Sequence, residues 1–378
     1  MLLQLSSDQE FFQKTTARYL EDNASVAELR RRREDAEGFK ERYWRQGAEL
    51  GWTSLLVSEE DGGVSISGRG LVDLTLVAYE FGRHAAPGPL AATNVVAGAL
   101  SAAGAGDHKA LIAGLLDGSA LVAWCIGEGA PDVEIAVQGD ELVLNGVKRS
   151  VESADRASHL LVTGRTGGGL SQVIVAANAK GLSITPMRGI DLSRRFSLVK
   201  LEDVRVPLAA AVGELGKADA AVEQQIQNAL VLHSAEALGA MQASFDMTVE
   251  WAFDRYSFGR PLASYQALKH RFAHMATWLQ ASHAICDEAA RAVDEGRADA
   301  AELVSAAKAY VGQHGAELIQ DCVQLHGGIG VTFEHDLHLF LRRLTLIRTL
   351  LGTPDAHLRR LAGLVAKQVE SKEAARGE

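Results

Sequence analysis

The sequence predicts an α+β protein in three parts: an N-terminal helical domain over residues 1–119, a central antiparallel, barrel-like β domain over 120–220, and a C-terminal four-helix bundle over 221–378. Three observations predict it. Apolar residues recur at helical spacing in the first part. Short Val-, Leu- and Ile-rich runs, separated by Gly-Asp, Asn-Gly and Gly-Gly, fill the second. Helical spacing returns in the third, with no repeat or low-complexity linker.

SSDQEFFQKTTARYLEDN opens with a Ser6/Ser7 cap candidate, and Glu10 stands three residues beyond Ser7, a capping-box spacing. Trp44, Leu50 and Trp52 lead to VSEEDGG at 57–63, a charged turn closed by paired glycines. Leu71, Leu74, Val77, Ala78 and Phe81 then mark one face of a helix. In the β module, Gln138-Gly139-Asp140 and Asn145-Gly146 have the composition of hairpin turns, and the last strand ends near Pro207. Long helices follow over 222–256, from 265 to a break at Gly296, over 299–325, and after Glu334, the last with Arg342 and Arg343 in its middle. Leu268, Phe272, Met275 and Leu279 line one face of the second.

The net charge of −10 argues against a nucleic-acid partner, because phosphate binding needs a positive surface. The one basic run, Arg30 to Arg33, is followed at once by Glu34 and Asp35 and reads as a solvated helix face. Cys125, Cys286 and Cys322 are widely spaced and odd in number, so neither a disulfide framework nor a zinc site is expected. The N-terminus has no basic region and does not read as a signal peptide, and no apolar run is long enough to span a bilayer. A cytoplasmic protein is the expectation.

Two stretches carry chemistry. In DRYSFGRPLASYQ, Arg255 falls at a helix end, Phe258-Gly259 and a Pro turn follow, and Gln266 opens the next helix. Arg can hold a pyrophosphate bidentately, Phe can cover an apolar edge, and Gln offers both a donor and an acceptor. The same spacing also suits a plain helix corner with a surface Arg. In QLHGGIG, residues 324–330, Gln324 precedes Gly327 and Gly328, which permit close backbone approach to a ligand but can equally end a helix. His326 reads as a packed residue with no metal partner.

Together these stretches resemble the acyl-CoA dehydrogenase family, over nearly the whole chain. RYSFGRPLASYQ resembles its Arg-x-x-Phe-Gly turn and following Gln. QLHGGIG with Glu334 resembles its Gln-x-x-Gly-Gly-x-Gly loop and the acidic residue after it. VSEEDGG and GDELVLNGVK resemble its early acidic turn and its β-domain hairpin. The resemblance implies an FAD-dependent oxidoreductase that converts an acyl-CoA to the 2,3-enoyl-CoA. A buried carboxylate takes the C2 proton while a hydride leaves C3 for the flavin. It also implies an FAD shared between subunits. The β module and inner helices hold the isoalloxazine. The ADP end lies on the neighbour's Arg255, Phe258, Gln266, Gln324, Gly327 and Gly328, within a C-terminal domain that also serves oligomerisation.

The departures from the family pattern fall together. The usual base position, in a Tyr-Glu-Gly-Thr motif, coincides with Leu350-Leu351-Gly352-Thr353, so Leu351, which cannot accept a proton, stands where the base would. The alternative position, before Gly239-Ala240-Met241-Gln242, is Ala229, followed by Leu230. Past Lys148, Ser150, Val151, Glu152 and Ser153 replace a Trp, an aliphatic residue, Thr and Asn that face the flavin. Gly127 to Asp132 shortens a further flavin loop, although Glu128 survives. No catalytic residue is therefore expected in this chain. The pattern resembles the non-catalytic subunit of bacterial heteromeric α2β2 acyl-CoA dehydrogenases, among them enzymes of steroid side-chain degradation. That resemblance implies an acyl-CoA substrate, a homologous partner subunit and two FADs per tetramer. Two other readings remain: a self-sufficient homotetramer with its base relocated to Glu236 or Asp355, and a flavin-dependent oxidase or oxygenase, or a scaffold without flavin.

Overall fold

The computed structural model describes residues 5–26, 29, 38–104, 106–127 and 133–374. The chain divides into two compact units: Met1–Arg30 with Thr75–Ala86 and Leu230–Glu378, and Arg31–Leu74 with Pro87–Ala229. The Arg30–Arg33 run and most of the Gly127–Asp132 loop lie outside the described residues.

Five helices whose bounds lie among the described residues come before the sheet: α1 (Ser7–Asn23), α2 (Glu41–Glu49), α3 (Gly70–Arg83), α4 (Leu90–Ala102) and α5 (Lys109–Leu116). The cap of α1 is Ser6, and its box partner is Gln9 rather than Glu10. Gln9 N donates to Ser6 Oγ at 3.2 Å, and Ser6 N donates to Gln9 Oε1 at 3.1 Å. Glu10 lies one position further round and pairs with Lys14 at 2.9 Å instead. The five apolar positions expected on one face of α3 are all buried.

Strands β1 (Val122–Cys125), β2 (Glu134–Gln138), β3 (Glu141–Glu152), β4 (His159–Thr166), β5 (Gly169–Ala176), β6 (Leu182–Met187), β7 (Phe196–Pro207) and β8 (Ala211–Val212) follow. They form one sheet in the order β6-β7-β3-β2-β4-β5-β8, with β1 also paired to β4. The expected antiparallel barrel is thus an open, mixed sheet, because β1 and the start of β2 run parallel to β4. Its core alternates along each strand: Leu142 and Leu144, Leu160 and Val162, Val173 and Val175, Val199 and Leu201 all face one cluster. Gln138-Gly139-Asp140 makes the β2–β3 hairpin, with Gly139 at φ 62°. Asn145-Gly146 does not turn. It lies inside β3 as a bulge against β7, and Asn145 Oδ1 accepts from Asp203 N at 2.8 Å.

Five helices close the chain: α6 (Asp219–Asp254), α7 (Gln266–Asp294), α8 (Ala300–His326), α9 (Leu337–Thr349) and α10 (Pro354–Ala374). Four are long, as expected of the bundle, and the 13-residue α9 lies between α8 and α10 in sequence. α7 ends where Gly296 takes φ 62°. α3 and α6 meet backbone to backbone. A Cβ on Gly82 would lie 1.8 Å from Glu236 O, and one on Gly239 would lie 1.9 Å from Tyr79 O. Any side chain at either glycine would push the two helices apart.

Candidate functional site

Arg255 follows the last turn of α6, where its N–H donates to Trp251 O at 2.8 Å. A two-residue hairpin comes next, with β9 (Tyr256–Ser257) and β10 (Arg260–Pro261) joined by Phe258-Gly259. Both loop residues have positive φ, 51° and 80°, as the tightest hairpins require. Phenylalanine is a costly choice there, about 1 kcal/mol, and its ring is 97% exposed. The corner is braced from beneath. Tyr265 Oη donates to Ser257 O at 2.7 Å, and the Arg260 guanidinium lies 3.9 Å from the Tyr265 ring centre. Gln266 is exposed as the first residue of α7.

The glycine loop starts where α8 stops. Gly327 takes φ 67° and ψ −142°, a conformation open to glycine alone. A Cβ on Gly327 or Gly328 would meet nothing, whereas one on Gly330 would lie 2.7 Å from Val323 O. The first two glycines therefore present bare backbone to open space, and the third serves packing. Gln324, in the last turn of α8, is exposed. The structure joins this loop to the Arg255 corner through rings. Trp251 stacks on His326 at 5.2 Å and 18°, and the Arg255 guanidinium lies 5.9 Å from the Trp251 ring centre. An Arg271–Asp321 ion pair ties α7 to α8, five residues past Gln266 and three before Gln324. His326 is buried, as expected of a packed residue, and its Nδ1 donates to Cys322 O at 2.8 Å. Burial pushes its pKa below the ordinary imidazole range.

Leu351 sits just past α9 at φ 57°, with Gly352 at φ 109°. Two buried side chains hold this turn. Lys308 Nζ donates to Ile347 O and, at 2.8 Å, to Leu350 O, which satisfies carbonyls that the end of α9 leaves free. His357 Nε2 donates to Leu351 O at 2.9 Å. A Cβ at position 352 would come within 3.0 Å of that same nitrogen, so glycine is needed there. Ala229 and Leu230 are fully buried in α6. Glu236, one of the two carboxylates considered as a relocated base, is buried and receives Arg343 Nη1 at 2.5 Å. Arg343 Nη2 donates to Ala85 O and Ala86 O, each at 3.0 Å. The Glu236 carboxylate is thus committed to a structural contact with a buried guanidinium. Asp355, the other, is exposed in the first turn of α10.

In the sheet, the β3 register breaks between Lys148 and Val151, which puts a bulge at Arg149-Ser150. Ser150 and Ser153 take φ 53° and 51°. Glu152 is paired with Arg194, whose Nη2 donates to Oε2 at 2.8 Å and whose Nε faces Oε1. Lys148 is buried and donates to Ile126 O at 2.9 Å.

The 361 residues that align with the acyl-CoA dehydrogenase IpdE2 of Mycobacterium tuberculosis are 32% identical, over 94% of this chain and 96% of that protein. The chain belongs to the acyl-CoA dehydrogenase family. The acyl-CoA dehydrogenase N-terminal domain model matches residues 6–118 and the C-terminal domain model residues 215–365. Among solved structures, a variant of the Tcur3481-Tcur3483 steroid ACAD is 29% identical with a TM-score of 0.86, over 96% of this chain and 98% of that one. The ChsE4-ChsE5 complex from Mycobacterium tuberculosis has the same fold, at a TM-score of 0.87 and 23% identity over 97% and 99%.

Sequence reasoning missed several groups. Trp124 Nε1 and Gln172 Nε2 both donate to Gln225 Oε1, at 3.1 and 2.8 Å, and Gln225 Nε2 returns a bond to Gln172 Oε1 at 2.7 Å. Isolated glutamines give no signal in sequence. Trp251 had one: an aromatic residue one helical turn before Arg255. Among the described residues no group of three or more side chains is placed to hold a metal, and no helix is long and apolar enough to cross a membrane.

Proposed function

We propose that this chain is the base-lacking subunit of a heteromeric α2β2, FAD-dependent acyl-CoA dehydrogenase, and that it completes the FAD site of a homologous partner. One observation carries the reading. Both positions at which the family resemblance puts the base are aliphatic, Leu351 and Ala229, and Glu236, one of the two nearby carboxylates, is engaged by Arg343.

The ADP-end residues fit such a group. The Arg255 guanidinium is exposed and offers its fork to a pyrophosphate. Gly327 and Gly328 leave backbone open to close approach. Phe258 offers an apolar face, and Gln266 and Gln324 offer amides to sugar or base. The flavin-facing stretch of β3 fits poorly: Ser150 sits on a bulge, and Glu152 is locked to Arg194. FAD, when bound, supplies the hydride acceptor for α,β-dehydrogenation. In this assignment the partner supplies the proton-abstracting carboxylate. Residues 221–378 of this chain supply ADP-end contacts and the assembly surface, 1–119 the N-terminal helical domain and 120–220 the β domain. The steroid ACAD relative supports a steroid-derived acyl-CoA as the substrate class.

The test is co-expression with a homologous acyl-CoA dehydrogenase chain from the same source, followed by flavin quantitation. Two FADs per tetramer, with activity only in the complex, are expected. Four FADs, or full activity from this chain alone, would sink the assignment.

A further inference from the structure

The Arg255 corner and the glycine loop lie 72 residues apart in sequence, counting from Arg255 to Gly327. What joins them is a column of rings. The Arg255 guanidinium lies over Trp251, at 5.9 Å from the ring centre, inside the range of a cation–π contact. The other partner of the indole is His326, stacked at 5.2 Å and 18°. His335 packs against His326 in turn, 4.4 Å between ring centres and tilted by 57°. His326 is the residue directly before Gly327.

The polar edges of the central pair are bare. His326 Nδ1 carries the hydrogen donated to Cys322 O, so Nε2 presents a lone pair. Neither that Nε2 nor the indole Nε1 of Trp251 has a hydrogen-bond partner among the described residues, although both atoms are buried. Ring contact is therefore the link between Trp251 and His326 themselves. A buried, partnerless nitrogen has a cost, and the stack is the geometry that accompanies it.

We propose that Trp251 is a positioning residue for phosphate binding: it holds the Arg255 guanidinium and, through His326, the start of the glycine loop. Nothing in this role requires Trp251 to touch a ligand. The inference rests on the reading of Arg255 as a phosphate ligand, and the experiment separates the two.

The probes are ADP and adenosine, titrated separately into the full-length chain by calorimetry. The proteins are wild type, Trp251→Phe, Trp251→Leu, His326→Leu and Arg255→Ala, each with its thermal unfolding recorded. Loss of the aromatic plate in Trp251→Leu is expected to weaken ADP by about three- to tenfold and to leave adenosine unchanged. Trp251→Phe is expected to retain most of the affinity, because a flat ring is kept. His326→Leu is expected to weaken ADP in the same direction, and it carries the test if Trp251→Leu fails to fold. A merely structural role would weaken both probes together. ADP binding unchanged in Trp251→Leu or His326→Leu, beside clear loss in Arg255→Ala, would overturn the positioning role and leave the phosphate reading intact. Wild type that fails to bind ADP, or Arg255→Ala that binds it as wild type does, would overturn both.

Discussion

Phe258-Gly259 and Leu351-Gly352 are the same device used twice. In each, a bulky L-residue is held at positive φ, 51° and 57°, and a glycine at more strongly positive φ completes the turn. They differ in what restrains them. The Leu351 turn is held from inside by the buried donors Lys308 and His357, which together reach three backbone carbonyls. The Phe258 turn is a two-residue hairpin loop whose ring is almost wholly in solvent. Strain at Leu351 is thus offset within the chain. The Phe258 turn is braced at its base, by Tyr265 and Arg260, while its ring stands in solvent, and an apolar ring presented in this way is suited to burial on assembly. The first turn is a fixed part of the bundle, and the second is prepared for contact.

Experiments that break this contrast are direct. The largest effect is expected from Lys308→Met, which leaves two helix-end carbonyls without their donor. Denaturant unfolding should show a loss of about 2 kcal/mol, and a loss below about 0.5 kcal/mol would mean that the Leu351 turn does not depend on its clamp. A pH series probes the interior of the same unit. Burial lowers the pKa of His283 to about 4. The unfolded state then takes up a proton before the folded state does, so stability is fully present above about 6.5 and falls as pH drops toward 4. His283→Gln should flatten that part of the profile, and an unchanged slope would remove His283 from the account. Phe258→Gly relieves the left-handed strain and should stabilise the isolated chain by about 1 kcal/mol while lowering flavin retention in the complex. A lowered melting temperature would show that the ring already has an internal role. The smallest stability effect belongs to Arg255→Ala, within about 0.5 kcal/mol, with its consequence confined to flavin content of the assembled enzyme.

Much of the fold is legible in the sequence because it follows from local periodicity and punctuation. The face of α3 from Leu71 to Phe81, the stop at Gly296 and the hairpin at Gly139 are all local. Asn145-Gly146 misleads because its composition suits both a hairpin turn and a bulge, and only the pairing of β3 with β7 decides. Glu10 misleads by a single residue, since the cap is Ser6. The sheet's parallel pairing and the ion pairs Glu236–Arg343 and Glu152–Arg194 bring together residues far apart in the chain, and no spacing rule encodes them. For the candidate site, the motifs mark which residues stand at the corner and the loop. The ring column through Trp251 and His326 that joins them became visible only in three dimensions.

The clamp on the turn after α9 has one property beyond strength. The hydrogen bonds that Lys308 and His357 donate to Ile347, Leu350 and Leu351 end on main-chain oxygens. None of them reads the side chain at position 351, which is only half-buried. These bonds are therefore indifferent to the apex side chain, and only its φ of 57° constrains the residue type. An acid, an amide or a hydrocarbon can occupy that place on one unchanged scaffold, so shape and reactivity are separable at this position.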